Sequence, residues 1–419
     1  MIASFIKLTL ALMRYHTRSD DLNEVNRCMR FLKNILVKNG VHVEEYVYNG
    51  RVSMLATLRK GEFSPKILCH GHIDIVPPDS SENLEGREEN GKIYGRGSVD
   101  MKSAIAVYVM LMIYFAKQKQ KPSLGLIFTS DEEIGGEEGA GYLRKKGIGL
   151  ETEIFFTGEP FRGIAYASKG RFCFQYTNSL HNIFQFYKRI NLLYDFNISD
   201  EKTTLSPTVL RSGKMNSTVV TNKIPSLLKT KLISKNFEEI DKFIEGKKYI
   251  TREERTLTFK GEGGHSAHPS NIINPIIEFM HFYERFGKNY LPCDQQYTAV
   301  FDIRFDEHFQ DHKLSVLKQN AILSGAKILH EYSYTGSRDH LSNKRVLLLK
   351  KIYEKYTQEP LTFFVANGSS DLRWFADLKK PSLSFGTAGK NYHGKNEYVF
   401  IKSLDTMYQI MKKFIENLV

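Results

Sequence analysis

The 419-residue chain has only four cysteines, Cys28, Cys69, Cys173 and Cys293, far apart and without a Cys-x-x-Cys pair. Neither a disulfide framework nor a thiolate zinc site is indicated, and a reducing, cytoplasmic setting is the simplest expectation. No stretch offers about 18 uncharged apolar residues in a row, so no membrane span and no membrane partner are expected. A mean hydropathy of −0.36 excludes a polytopic membrane protein. The opening MIASFIKLTLALMRYHT has a short apolar run but no Ala-x-Ala-like cleavage site. It reads as an amphipathic helix rather than a signal peptide. There is no long basic block, although Lys+Arg 59 against Asp+Glu 47 gives a formal charge of 59 − 47 = +12. Nucleic-acid binders concentrate such charge on a patch or arm, so no nucleic-acid partner is expected. A dispersed excess suits attraction of anionic small molecules. Tandem repeats and low-complexity tracts are absent.

Hydrophobic residues make up 41% and charged residues 25%, which is ordinary for a globular protein. At about 150 residues per domain, the length predicts two to three domains. From about residue 40 to 170 strands alternate with helices. VHVEEYVY and VSMLATL read as paired strands, KILCHGHIDIV as a strand running into a polar loop, and SAIAVYVMLMIYFAKQ as an apolar helix. SLGLIFTSDEE and TEIFFTGEP are strands that end in acids. Such alternation predicts an α/β domain with a mostly parallel sheet and helices on both faces. Residues 171–336 have an α+β texture and read as an inserted domain, after which 337–419 return to the first.

Side chains at the carboxyl ends of parallel strands converge on one crevice. Here those ends carry His70, His72 and Asp74 in HGHID, Asp100 in GRGSVDMKS, Asp131, Glu132 and Glu133 in TSDEEIGG, and Glu159 in TGEP. His393 follows in YHGKNEYV. Carboxylates buried together cost several kcal/mol each unless a cation compensates them. Two histidines with several carboxylates suit Zn²⁺, with Mn²⁺ or Co²⁺ as substitutes. Two such ions about 3.5–4 Å apart form a hydrolytic template. Glu132 and Glu133 cannot both face one way from a regular strand. A bend, helped by Gly135-Gly136, would let one hold metal while the other faces the water.

Taken together, HGHIDIVPP, YGRGSVDMK, TSDEEIGG, FTGEP, GGHSAHPSNIINPI, FDIRF, NGSSD and YHGKNE resemble one metallopeptidase family. It includes acetylornithine deacetylase, succinyl-diaminopimelate desuccinylase, aminoacylase and glutamate carboxypeptidase. The stretches run from residue 70 to 397. The resemblance implies a zinc-exopeptidase-like catalytic domain (1–170 and 337–419) with a lid and dimerisation domain (171–336). It implies two divalent metal ions, with His72 and Glu159 on the first, Glu133 and His393 on the second, and Asp100 bridging them. Asp74 would orient His72, and Glu132 would be the general base. His265 would polarise the scissile carbonyl, reaching a neighbouring subunit in a homodimer. Arg304 would clamp the substrate carboxylate, and Gly368, Ser369 and Asn222 would touch the substrate. In relatives with a full lid the His-Ser strand precedes the Asn-containing strand, whereas here TNKIP precedes GGHSAHP.

The reaction so implied is removal of an acyl group from an N-acyl amino acid, in amino-acid biosynthesis. A dipeptidase or carboxypeptidase of the same family is the nearest alternative. A catalytically dead binding protein on the same scaffold is a further one, disfavoured because the base and all five ligand positions are present. His70 has no counterpart role and reads as structural.

Overall fold

The computed structural model describes residues 2–77, 85–160, 163–194, 203–212, 223–233, 237–261, 264–266, 273–291 and 295–418. It divides into two compact units, residues 1–168 with 335–419, and residues 169–334.

The larger unit is built on a nine-stranded sheet. In spatial order its strands are His42–Tyr48, Arg51–Thr57, Leu124–Thr129, Ile67–His72, Ile154–Thr157, Ser382–Ser384, Ile164–Ser168 and Thr335–Gly336, with Phe363–Ala366 also on Ile164–Ser168. The four strands from Leu124–Thr129 to Ser382–Ser384 are mutually parallel. The flanks are antiparallel, except that Phe363–Ala366 runs parallel to Ile164–Ser168, so the sheet is mixed. The reason is local at one edge. Asn49 and Gly50 both have positive φ (49° and 80°), which suits the tight turn of a two-stranded hairpin. Parallel pairing returns where helices supply the crossovers.

Both faces of this sheet are covered. Phe155 and Phe156 are neighbours on one strand and therefore point to opposite faces. Phe155 packs on Phe375 at 5.0 Å between ring centroids, while Phe156 meets Phe414 edge-on at 5.5 Å. On the first face Leu55, Leu68, Ile127 and Phe155 share a core with Leu143 and Leu372. On the second lie the buried helices Ser103–Ala116 and Ile401–Glu416. The segment Ser98–Ala116 is long and apolar enough to cross a membrane by length and composition, yet 78% of its apolar window is buried inside the protein. It is accounted for as a core helix.

The smaller unit has a four-stranded antiparallel sheet in the order Thr204–Ser212, Gln296–Phe305, Gly170–Ser179, Lys327–Tyr332. Its core is aromatic, with Phe174 5.4 Å from Phe301 and 5.8 Å from Phe186. Gly264–His265 form a short strand paired with Lys223–Ile224.

Phe156 is fully buried between sheet and helix. Its replacement by Ala is expected to cost about 3–5 kcal/mol, the usual range for a buried aromatic. Urea unfolding of Phe156→Ala checks this; a loss under about 1 kcal/mol would mean that the site collapses or that the packing is loose.

Candidate functional site

Three parallel strands deliver acids and histidines to one end of the larger unit. Ile67–His72 ends on His72 itself, Leu124–Thr129 leads into Asp131–Glu133, and Ile154–Thr157 leads into Glu159. Asp100 comes from the loop before helix Ser103–Ala116, where Gly97 adopts a left-handed conformation (φ 79°). His393 also has left-handed φ (59°), in a turn flanked by Asn391 and Asn396 of the same hand. Such residues are uncommon outside glycine and cluster at functional sites.

These side chains meet. His72 Nε2 lies 3.1 Å from Asp100 Oδ1 and 3.7 Å from Glu159 Oε1. His393 Nε2 lies 3.0 Å from Asp100 Oδ2 and 3.0 Å from Glu133 Oε1. Two potential metal-holding triplets result, His72–Asp100–Glu159 and Asp100–Glu133–His393, and Asp100 belongs to both through different oxygens. Glu132 joins His72 and Glu133 in a third grouping. The bend between the two glutamates is present as a short 3-10 turn, Glu132–Ile134, closed by Gly135 and Gly136 at φ 122° and 67°.

Asp74 lies beneath. Its side chain is 3.3 Å from His72 Nδ1, accepts from Ser19 Oγ (2.8 Å), and accepts the backbone N–H groups of Glu132 (3.3 Å) and Glu133 (3.1 Å). One carboxylate thus orients a histidine and anchors the turn of acids.

Burial pushes the Glu132 carboxyl up to about 8, although His72 and Arg373 oppose it. Burial, and then Asp100, raise Glu159 well above the ordinary carboxylate range. His393 moves the other way. Burial disfavours its cation, but Glu133 and Asp100 outweigh that and lift it to about 10. Asp100 is held low because His393 and His72 overcome its desolvation. Arg96 is engaged with Glu397 and Lys102 with the Tyr15 carbonyl, and Glu159 Oε1 is buried with no hydrogen-bond partner. An orphaned carboxylate oxygen beside the His72 imidazole fits a divalent cation.

Gly368 and Ser369 lie in the loop between strand Phe363–Ala366 and the helical turn Asp371–Leu378 of the same unit. The Ser369 hydroxyl is buried without a partner. Arg304 belongs to the smaller unit, where Arg304 Nε donates to Asp302 Oδ2 (3.1 Å) and Arg171 Nε to Asp302 Oδ1 (2.6 Å). His265 also belongs to that unit by its backbone. Its side chain and the whole of Asn222 lie outside the described residues.

The sequence reading passes over Glu397 and Arg373. Buried Glu397 accepts from Arg96 Nη1 (2.9 Å) and from the backbone N–H groups of Gly97 (3.0 Å), Val99 (3.0 Å) and Asp100 (3.2 Å). It therefore fixes the Asp100 loop from the same segment that carries His393. Its only signal in the sequence is its place at the end of YHGKNE. Arg373 Nη1 lies 3.5 Å from Glu132 Oε1.

The family model of peptidase family M20/M25/M40 matches residues 68–417. The chain belongs to this family. It is therefore a hydrolase acting on amide bonds, in a metal-dependent family. A succinyl-diaminopimelate desuccinylase of Rickettsia bellii is 24% identical over 407 residues, covering 93% of this chain and 91% of that one. In fold the chain resembles an M20 metallo-carboxypeptidase of Sulfolobus solfataricus, with a TM-score of 0.66, 13% identity and 98% of each chain covered. It also resembles a dinuclear metal-binding M20 peptidase of Bacillus subtilis, with a TM-score of 0.56, 12% identity and coverage of 100% and 98%.

Although burial disfavours both cations, the carboxylates beside them raise His72 and lift His393 to about 10, so protons compete with a metal ion for these rings. Zinc affinity is therefore expected to rise with pH between 6 and 8, by about tenfold per pH unit for each proton displaced. Calorimetric zinc titrations in two buffers of different ionisation enthalpy read the proton count directly. A pH-independent affinity with no proton release would contradict the assignment of these histidines.

Proposed function

We propose that this protein removes the acyl group from an N-acyl amino acid, with His72, Asp100 and Glu159 holding one divalent ion and Asp100, Glu133 and His393 holding a second. The observation that supports this best is the division of Asp100 between two triplets, one oxygen facing His72 and the other His393. Zinc is the proposed metal, since imidazole and carboxylate ligands suit it.

Bound ions would supply an acidified water and polarise the scissile carbonyl. The remaining work falls to the chain. Glu132 faces the ligand cluster without belonging to either triplet that Asp100 joins. It takes the proton from the attacking water and returns it to the leaving amine. Asp74, itself held by Ser19 Oγ, keeps the His72 ring and the Glu132–Glu133 turn in register by its three contacts with them. Roles for His265, Arg304, Gly368, Ser369 and Asn222 toward the substrate rest on the family resemblance alone.

The acyl amino acid is favoured because the desuccinylase relative aligns over 93% of the chain. The dispersed charge of +12 also suits an anionic substrate. A dipeptidase or carboxypeptidase would use the same metal centre.

The test is a panel of N-acetyl amino acids, N-succinyl amino acids and dipeptides, with and without chelator. About two metals per chain and chelator-sensitive hydrolysis of an acyl amino acid are expected. Glu132→Ala should keep its metal and lose about 10²–10⁴-fold in kcat. Preferential cleavage of dipeptides would favour the alternative. Failure to take up any metal on reconstitution would sink the dinuclear site.

A further inference from the structure

Glu132 sits on a turn, not on a strand, so its carboxylate is only as well placed as that turn. Asp74 grips the turn from one side through the backbone N–H groups of Glu132 and Glu133. From the other side Arg373 Nη2 (2.6 Å) and Trp374 Nε1 (3.3 Å) both donate to the Gly135 carbonyl. Arg373 also presents Nη1 to Glu132 Oε1 at 3.5 Å. The contact is close enough to dictate a residue: a Cβ on Gly136 would fall 1.9 Å from Asp371 Oδ1.

Asp371 holds Arg373 in turn, with Oδ1 3.4 Å from Arg373 Nη2. Its other oxygen accepts from Thr129 Oγ1 at 3.0 Å and lies 3.1 Å from His70 Nε2. On the far side of the ring, His70 Nδ1 is 3.1 Å from Thr157 Oγ1. His70 and Asp371 are both fully buried. His70 shares the face of its strand with His72, two residues on, and the two rings stack at 6.4 Å. A continuous chain of polar contacts therefore runs Thr157–His70–Asp371–Arg373–Glu132, across the ends of neighbouring strands and entirely within the larger unit.

We propose that His70 is a positioning residue, which through Asp371 and Arg373 fixes the turn that carries Glu132. The inference rests on the reading of Glu132 as the base. With a proton on Nε2, that N–H faces both Thr129 Oγ1 (3.0 Å) and Asp371 Oδ2 (3.1 Å) and leaves Nδ1 to accept from Thr157 Oγ1, so both ends of the imidazole are used. Without that ring, Asp371 keeps its contacts with Thr129 Oγ1 and Arg373 Nη2 but loses the buried partner that packs on Oδ2, so its carboxylate is less firmly held. Arg373 then loses its fixed counter-charge, and the Gly135 carbonyl loses a rigid donor. A catalytic group displaced by about 1 Å can cost on the order of 10²-fold in rate. The metal triplets themselves contain none of these three residues, so metal uptake should survive.

The experiment compares His70→Leu, His70→Gln and Arg373→Gln with wild type, all reconstituted with zinc. His70→Leu should lower kcat about 30–100-fold with KM within about twofold. His70→Gln, which keeps an N–H donor near the place of Nε2, should recover most of that loss. The double variant His70→Leu/Arg373→Gln should fall only about threefold below the slower single, because residues acting in one chain are not additive. In the Glu132→Ala background His70→Leu should have no further effect. Zinc stoichiometry should equal wild type throughout.

An activity-independent arm uses hydrogen–deuterium exchange of the peptide covering residues 131–136. Its amides should exchange faster in His70→Leu and in Arg373→Gln, and as in wild type in His70→Gln. Unchanged exchange in His70→Leu, multiplicative loss in the double variant, or a loss of rate that follows loss of zinc would each overturn the proposal. Should wild type hydrolyse no amide at all, the functional reading above fails, and the exchange comparison still decides whether His70 fixes the turn.

Discussion

The crowding of carboxylates at one end of a parallel sheet is the constraint on which the larger unit depends. Asp100, Glu132, Glu133 and Glu159 are brought together around two imidazoles, in surroundings that withhold water from them. Coulombic repulsion and desolvation both oppose this. The fold answers with directed backbone dipoles rather than with lysines. Asp74 takes the N–H groups of Glu132 and Glu133, and Glu397 takes those of Gly97, Val99 and Asp100. Asp74 and Glu397, which belong to neither triplet, thus stiffen the loops bearing Asp100, Glu132 and Glu133. The cluster stays electron-rich, and a divalent cation is the natural occupant.

This division of labour explains what is legible in the sequence. His72, Glu133 and Glu159 each end or follow an apolar strand, so periodicity alone puts them at strand ends; Asp100, expected at such an end, instead sits in the irregular turn before helix Ser103–Ala116, where Gly97 lets the chain bend. The parallel centre of the sheet follows from the same alternation. Its antiparallel flank depends on a two-residue Asn49-Gly50 hairpin, a local feature inside a pattern dominated by helical crossovers. Recognition of His393 rests on resemblance, since only a left-handed turn aims its ring, and backbone handedness at a histidine leaves no mark on residue spacing.

The supporting residues are harder to read because their partners are remote. Glu397 bonds to Asp100 across 297 residues, and Arg373 reaches Glu132 across 241. An isolated Glu at the end of YHGKNE or an Arg after NGSSD reads as a solvated side chain until the strands are assembled. His70 looks structural for the same reason: strand alternation puts it on the face of His72, but Asp371 arrives from far along the chain. Arg304 is a different case. The sequence marks it through FDIRF, and the structure adds that Asp302 is shared between it and Arg171.

The strand Ser382–Ser384 occupies an interior position of the sheet, parallel to Ile154–Thr157 on one side and antiparallel to Ile164–Ser168 on the other. Its neighbours are translated more than two hundred residues before it. A nascent chain must therefore carry strands Ile154–Thr157 and Ile164–Ser168 without the strand that joins them while all of residues 169–334 emerge. Throughout that interval, strand edges rich in buried aromatics stand unpaired, the condition under which chaperone engagement matters most. Insertion of these three residues joins the two strands and, a few residues later, brings His393 to the ligands that have waited for it.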